Sequence, residues 1–497
     1  MKKRKFPGSF YNPITAFGTT VIFLNIFLII FLLLFDYLSG SPKAYMGIVT
    51  FIVLPFFLFC GIAIALFGIW REHNRIKLGK SREKIFPVID LNDKKYRSAL
   101  ILLSIGLIVL IIFSAFGTFK AYEYTDSDEF CGEICHKVMN PEYTTYQYSP
   151  HARVGCVQCH IGSGTEWYVR AKLSGIYQIY SVLFNKYSKP IPTPVHNLRP
   201  AQGTCEQCHW PKYFYRESEI TNTYFLSDKN NTKWNLTLLM KIGGGNEETG
   251  VIQGIHWHMN LSNKVTYMMT DDSRQEIPWI KSEHSDGTVT IYKTTDFPVT
   301  DDMVKNGLKR RMDCIDCHNR PAHIYHPPSS SINRELAINK INPKLPFVKS
   351  LAVKILDTPY SSKEIALDSI KIAINNFYNL NYPEIAASMK DEISNSIIGI
   401  QTIFEKNYFP SMNVSWKGFP NNIGHLYAKG CFRCHDGKHQ TEDGKVLSRD
   451  CNTCHTILAQ ELKKGELRIS LGGVDYIHPV NIGDAWKNEN CSNCHSN

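Results

Sequence analysis

Fourteen of the fifteen cysteines in this 497-residue chain fall in seven close pairs, and each pair is followed at once by histidine. The groups are Cys131/Cys135–His136, Cys156/Cys159–His160, Cys205/Cys208–His209, Cys314/Cys317–His318, Cys431/Cys434–His435, Cys451/Cys454–His455 and Cys491/Cys494–His495. Six read C-x-x-C-H. Zinc sites also use C-x-x-C pairs, but zinc does not require histidine directly after every second cysteine. A thioredoxin-like redox pair needs a βαβ setting that this sequence does not show. The repeat fits covalent attachment of c-type haem. Two thiols reach the two vinyl groups of one porphyrin edge, and the adjoining imidazole takes the iron as proximal ligand. Cys131-Gly-Glu-Ile-Cys135-His136 has three intervening residues and reads as a variant attachment site. The set predicts seven covalently bound haems, so the cysteine count does not argue for disulfides. Cys60 is left over inside an apolar run and reads as a packing residue.

Three apolar stretches precede the array: Phe17–Phe35, Met46–Trp70 and Ala99–Phe119. Each has about the length of a bilayer-spanning helix. Asn25 and Cys60 are the notable non-aliphatic residues inside them. The formal charge is +10, and most of it lies beside these stretches. Lys2, Lys3, Arg4 and Lys5 precede the first, and Arg71–Arg97 carries nine cations against four acids. The positive-inside rule puts both basic segments, with His73, in the cytoplasm and the long C-terminal part outside. The first stretch lacks a clear small-residue cleavage site, so it reads as an uncleaved anchor rather than a signal peptide. Thioether haems are made on the outer side of the bacterial inner membrane, which agrees with this orientation. The basic balance is therefore a topology signal, and no nucleic-acid partner is expected for the haem domain. Haem propionates make that domain net acidic once loaded.

Haem iron that only carries electrons usually takes a second protein ligand, whereas an open position suggests catalysis. Ten histidines after residue 120 lie outside the motifs: His151, His196, His256, His258, His284, His323, His326, His425, His439 and His478. The supply covers seven haems, which predicts mainly six-coordinate iron. Met139, three residues after His136, is a candidate thioether ligand of the first haem. His425, His439 and His478 surround the last three motifs and are candidate ligands. His256 and His258 lie in the strand-like run Gly254–Met259, where alternation puts both on one face. One of them as a ligand fits that reading more readily than both. His284 and His326 read as surface residues.

The expected fold class is a membrane-anchored multihaem cytochrome c. Three N-terminal transmembrane helices are followed by a mostly α or irregular haem-packed domain with a small β-rich insertion. The domain boundaries read as a three-helix anchor over 1–119, a tetrahaem domain over 120–325, a helical connector over 326–408 and a trihaem module over 409–497. The β-rich insertion falls at about 213–300, with strand patterns at Val265–Thr270 and Thr288–Tyr292 around a Ser-Asp-Gly turn at 285–287. In the connector, Ser361-Ser-Lys-Glu364 has a capping-box pattern, and apolar residues over Ile365–Phe377 recur at helical spacing.

Residues 120–325 resemble the NapC/NirT (NrfH-like) family of membrane-anchored, quinol-oxidising multihaem cytochromes. Beyond the haem motifs, the resemblance rests on four positions. His151 lies in Ser149-Pro-His-Ala-Arg-Val154, and His323 follows His318 in His-Asn-Arg-Pro-Ala-His. Lys172 lies in Arg170-Ala-Lys-Leu-Ser-Gly175, with Gln178 just beyond. The resemblance implies that His151 ligates the fourth haem and His323 the second, in a crossed pairing of close haems. It implies that Lys172 lies near the quinol site and can ligate the third haem, with Gln178 among the polar quinol-site residues. Family members usually have one anchor helix and four or five haems, so three spans and seven motifs depart from that plan. The whole looks like the heptahaem inner-membrane quinol-oxidising cytochromes of metal-respiring bacteria. The expectation is an inner-membrane menaquinol dehydrogenase with its haem domain on the periplasmic side. It would draw on the menaquinone pool, contact membrane lipid, and pass electrons to a periplasmic c-type cytochrome or reductase in anaerobic or extracellular respiration. The competing readings are a terminal reductase of nitrite or hydroxylamine type and an electron-transfer subunit of a larger membrane complex. The sequence holds no C-x-x-C-K motif, which weighs against the reductase.

Overall fold

The computed structural model of the chain describes residues 8–39, 53–79, 92–134, 136–162, 165–194, 199–209, 217–243, 254–259, 263–284, 286–462 and 465–496. Two compact units emerge: Met1–Ser127 with His160–Ile179, and Asp128–Cys159 with Tyr180–Asn497.

The first unit holds three helices long and apolar enough to cross a membrane: α1 (Pro13–Ser39), α2 (Leu54–Lys77) and α3 (Lys94–Thr125). The part of the second expected span before residue 53 lies outside the described residues. Asn12 caps α1, accepting from Thr15 N at 2.9 Å ahead of Pro13 at the first helical position. Its amide also donates to the Gly68 carbonyl of α2 at 3.1 Å, tying the two helices together. Small residues line that crossing. A Cβ on Gly18 would lie 2.5 Å from Ala65 N, and one on Gly68 would lie 2.6 Å from Thr15 N. Membrane helices gain little from the hydrophobic effect between themselves, so close backbone approach supplies the attraction. Asn25 is buried and donates to the Val21 carbonyl one turn back at 2.8 Å.

In the second unit, α4 (His136–Gln147) follows the first motif. Helix α5 (Thr165–Leu183) follows the second motif and belongs to the first unit as far as Ile179. The expected helical connector is α6 (Pro328–Ala337), α7 (Val348–Leu356), α8 (Lys363–Asn381) and α9 (Lys390–Asn407). Its core is dictated by the 3.6-residue period. Ala366, Ile370, Ile374 and Tyr378 form the buried stripe of α8, and Ile393, Ile397, Ile400 and Phe404 that of α9. Each fully buried aliphatic side chain contributes about 1.5–3 kcal/mol relative to exposure. The helix cap falls one residue later than the sequence pattern suggests. Ser362, not Ser361, accepts from Ile365 N at 3.3 Å.

Among the described residues, nine strands form two antiparallel sheets: β1 (Ser218–Phe225), β2 (Lys233–Met240), β3 (Lys264–Met269), β4 (Trp279–Glu283), β5 (Val289–Thr294), β6 (Leu308–Arg311), β7 (His439–Gln440), β8 (His455–Glu461) and β9 (Leu467–Ile469). Their orders are β1-β2-β8-β9 and β6-β3-β4-β5-β7. Strands within 218–311 are thus completed by strands from 439–469. Both joins sit beside attachment motifs: His455 itself pairs with Met240, and β7 lies four residues past His435.

Candidate haem-binding sites

A C-x-x-C-H segment coiled into one helical turn puts residues i, i+3 and i+4 on one face. The described motifs do this. Cys156–His160, Cys314–Cys317 and Cys491–His495 are short α-turns, while Cys205–Gln207, Gly430–Arg433 and Cys451–Thr453 are 3₁₀ turns. His209 N and His318 N each donate to the first cysteine's carbonyl at 2.8 Å, and His435 N does so at 3.0 Å. The extra residue of the first motif falls in a π-turn, Phe130–Ile134, whose wider i+5 repeat absorbs one more residue per turn. Cys135 and the side chain of His136 lie outside the described residues.

Cys156, Cys205, Cys314, Cys317, Cys431, Cys434, Cys454 and Cys491 are half-buried, whereas Cys159, Cys208, Cys451 and Cys494 are exposed. The local chain explains the two most open motifs. Cys208 closes a 3₁₀ turn, its N–H on Cys205 O at 3.2 Å, between Gln207 and His209, which are exposed with it. Cys494 lies in the last helical turn of the chain between Asn493 and His495, again both exposed.

Two imidazoles on opposite sides of one iron, with metal–nitrogen bonds of about 2 Å and about half a ring beyond each nitrogen, have centroids about 6 Å apart. Five motif histidines meet another histidine at that separation. The pairs are His151 with His209 (6.1 Å), His256 with His318 (6.3 Å), His258 with His435 (5.9 Å), His425 with His455 (6.2 Å) and His478 with His495 (6.4 Å). The spacing accommodates an intervening metal atom.

Protonation fits as well. An Nδ1–H bonded to a backbone carbonyl leaves Nε2 bare for the metal. Nδ1 of His151 meets Pro321 O at 3.1 Å, and that of His256 meets Ile242 O at 2.7 Å. Nδ1 of His258 meets Ile255 O at 2.8 Å, and that of His323 meets Glu142 O at 3.0 Å. Nδ1 of His435 meets Ser448 O at 3.0 Å, and that of His478 meets Val480 O at 2.7 Å. Nδ1 of His425 and of His455 is buried without a hydrogen-bond partner. Burial pushes His258, His318, His435, His455 and His495 below the ordinary imidazole range, and His425 down to about 4. Burial thus favours the neutral form of these rings, the form a metal needs.

Four further expectations change. His439 does not fit a ligand role. It is buried with Nδ1 on Asp436 Oδ1 at 2.9 Å and Nε2 on Ile277 O at 2.6 Å, so neither nitrogen is free. His151 lies beside His209 of the third motif, while His318 of the fourth faces His256 instead. Residues Ile255–Met259 form a 3₁₀ turn, not a strand, because Ile255 N is drawn to Lys241 O at 2.8 Å. His256 and His258 consequently point to different partners. His326 is half-buried rather than at the surface, with its N–H on Asn407 Oδ1 at 2.8 Å, and burial pushes its imidazole down to about 4. His284 is also half-buried, 5.6 Å from the Trp257 ring.

Positions 136 and 139 are three apart on α4 and so share one face of it. Lys172 and Gln178 both lie on α5, where Gln178 Nε2 donates to Ser174 Oγ at 3.2 Å. The Lys172 side chain and all of His196 lie outside the described residues.

Supporting groups escaped sequence reasoning. Asp128 accepts from Cys156 N at 2.8 Å and from Tyr146 OH at 2.6 Å, fixing the start of the second motif. Asp313 and Asp316 form a capping box around the fourth. Asp316 is buried and bonded to Tyr267 OH (2.8 Å), Arg274 (2.9 Å) and Arg310 (2.8 Å). The aspartate before Cys314 was a legible cap signal. The long-range partners had none.

Comparison with known proteins agrees with this construction. Residues 92–193 match the NapC/NirT cytochrome c family, N-terminal region. Over its whole length the chain is 40% identical to the cytochrome c-type protein ImcH of Geobacter sulfurreducens and covers 97% of it. A 110-residue stretch, 22% of the chain, is 31% identical to the cytochrome c-type protein NrfH of Wolinella succinogenes and covers 59% of that protein. No solved structure matches the chain. Repeated attachment turns, apolar spanning helices and full-length similarity together place this chain in the NapC/NirT family of membrane-anchored multihaem cytochromes c.

Proposed function

We propose that the chain is a heptahaem inner-membrane cytochrome that oxidises menaquinol and delivers electrons to a periplasmic carrier. The observation that carries this reading is the set of five histidine pairs at 5.9–6.4 Å, each containing one motif histidine, in a chain with three membrane spans. Bound haem supplies one-electron carriage. The fourteen motif cysteines would anchor it, and the motif histidines would each supply a ligand to one iron. His151, His256, His258, His425 and His478 would supply second ligands at the third to seventh sites, His323 at the second, and Met139 with His136 would serve the first. Two histidines at hand at each of five sites favour electron carriage over a terminal reductase.

The quinol would be met at the membrane surface. Helix α5 carries Lys172 and Gln178, and its Leu173, Ile176, Tyr177, Ile179 and Leu183 are exposed apolar residues suited to the lipid interface. Lys172 and Gln178 would hydrogen-bond the quinol oxygens, with a neutral Lys172 amine taking one released proton and the other passing to solvent. Detergent-extracted protein mixed with a menaquinol analogue should show haem reduction in the α-band, and Lys172→Met should slow it at least tenfold with dithionite reduction unchanged. Protein that dithionite reduces but menaquinol analogues do not would sink this reading.

A further inference from the structure

His256 and His258 are two residues apart yet meet motif histidines that are far apart in sequence. His256 lies 6.3 Å from His318 with ring planes 3° apart, and His258 lies 5.9 Å from His435 with planes 85° apart. The 3₁₀ turn makes this possible. With about three residues per turn, positions two apart diverge by about two-thirds of a turn, whereas in a strand they would share a face. Each ring spends Nδ1 on a carbonyl, Ile242 O for His256 and Ile255 O for His258. Nε2 of each is then the atom suited to iron.

The turn and both targets are rigidly held. Gly254 enters the turn at φ +146°, where a Cβ would lie 2.2 Å from Gly243 O. Lys241, which accepts from Ile255 N, itself donates its N–H to Cys454 O at 2.9 Å. Arg433 lies inside the fifth motif and donates Nη2 to Asp316 O inside the fourth at 2.7 Å. It also donates Nη1 to Arg274 O at 2.8 Å. The fourth and fifth motifs are thus fixed to one another without help from the turn. Two packing histidines would have no reason to show paired spacing and paired tautomers at once.

We propose that His256-Trp257-His258 is a double ligand bridge. His256 supplies the sixth iron ligand at the Cys314/Cys317 haem site, and His258 supplies it at the Cys431/Cys434 site. One three-residue segment then joins two neighbouring irons and couples the last motif of the first four to the first of the last three. The proposal rests on the reading that these two motifs carry haem.

The test uses full-length, detergent-extracted protein with His256→Ala, His258→Ala, the double substitution, and His284→Ala as a neighbouring control. Peptide mass spectrometry reports haem on the Cys314/Cys317 and Cys431/Cys434 peptides, and EPR counts low-spin and high-spin iron. Each single substitution should convert one haem to high spin and the double should convert two. Added imidazole should restore low spin, and His284→Ala should convert none. His256→Met and His258→Met keep a ligating atom, so they should remain low spin with a shifted spectrum even if the alanine forms mature poorly. Haem-loaded peptides with an unchanged low-spin count in the alanine forms, or an unshifted spectrum in the methionine forms, would overturn the bridge alone. Haem-free peptides in the parent protein would overturn the attachment reading at that site, and the bridge with it.

Discussion

Arg433 Nη2 donates to the Asp316 carbonyl at 2.7 Å, and both residues are inner positions of attachment motifs. The bond locks the fourth turn to the fifth from within the pentapeptides. Arg433→Ala should therefore cost about 1.5–3 kcal/mol, the range for hydrogen bonds from a charged donor. Arg433→Lys should not rescue it, because a point charge cannot serve Gly430 O, Arg274 O and Asp316 O together. The drop in thermal midpoint of the extracted protein checks this.

His439 is placed to hold structure rather than iron. His439→Gln should leave the low-spin haem complement unchanged by EPR while lowering thermal stability by about 1–3 kcal/mol, since a buried acceptor at Ile277 O loses its donor. Loss of a low-spin haem in this variant would return His439 to the ligands.

Lys349 gives a pH signature. Its ammonium is buried and donates to the Phe225 carbonyl, and burial pushes it down to about 8, partly opposed by Asp228. Below that value the folded and unfolded forms both carry the proton, and the burial cost is fully felt. Between about 8 and the ordinary lysine value the unfolded chain binds more proton than the folded one, so stability rises with pH. Chemical denaturation of the parent against Lys349→Met over this window should show the rise in the parent only.

In the membrane pair, Gly18→Leu should force α1 from α2, since even a Cβ meets Ala65 N at 2.5 Å. Overpacking of this kind costs about 1–3 kcal/mol. The expected result is a lower detergent-extracted yield and midpoint, with the haem absorbance per molecule unchanged.

Local rules made one half of the haem sites readable. Cys314, Cys317 and His318 sit on a single turn, so sequence spacing alone encodes their shared face, and the spans were equally legible because hydropathy is a run property. The opposite half of each site was not readable. His256 reaches His318 only because Lys241, at the end of β2, captures the Ile255 N–H and coils the run that alternation assigned to a strand. His439 and His478 looked alike in sequence, each near a motif. They were separated by Asp436 and Ile277, which occupy both nitrogens of the former and leave the latter one nitrogen free. The resemblance pointed to His151 as a ligand, but tertiary placement beside Pro321 O set which motif it faces.

The four-stranded sheet carries a consequence for biogenesis. Asn235 of β2 and Glu461 of β8 are hydrogen-bonded across 226 residues of sequence. Strand β2 therefore lacks its β8 partner until nearly the whole polypeptide has been made. Synthesis runs from the N-terminus, so the first four motifs emerge while that sheet edge is still open. The four-stranded sheet can form only once β8, which begins at His455 of the sixth motif, has been made.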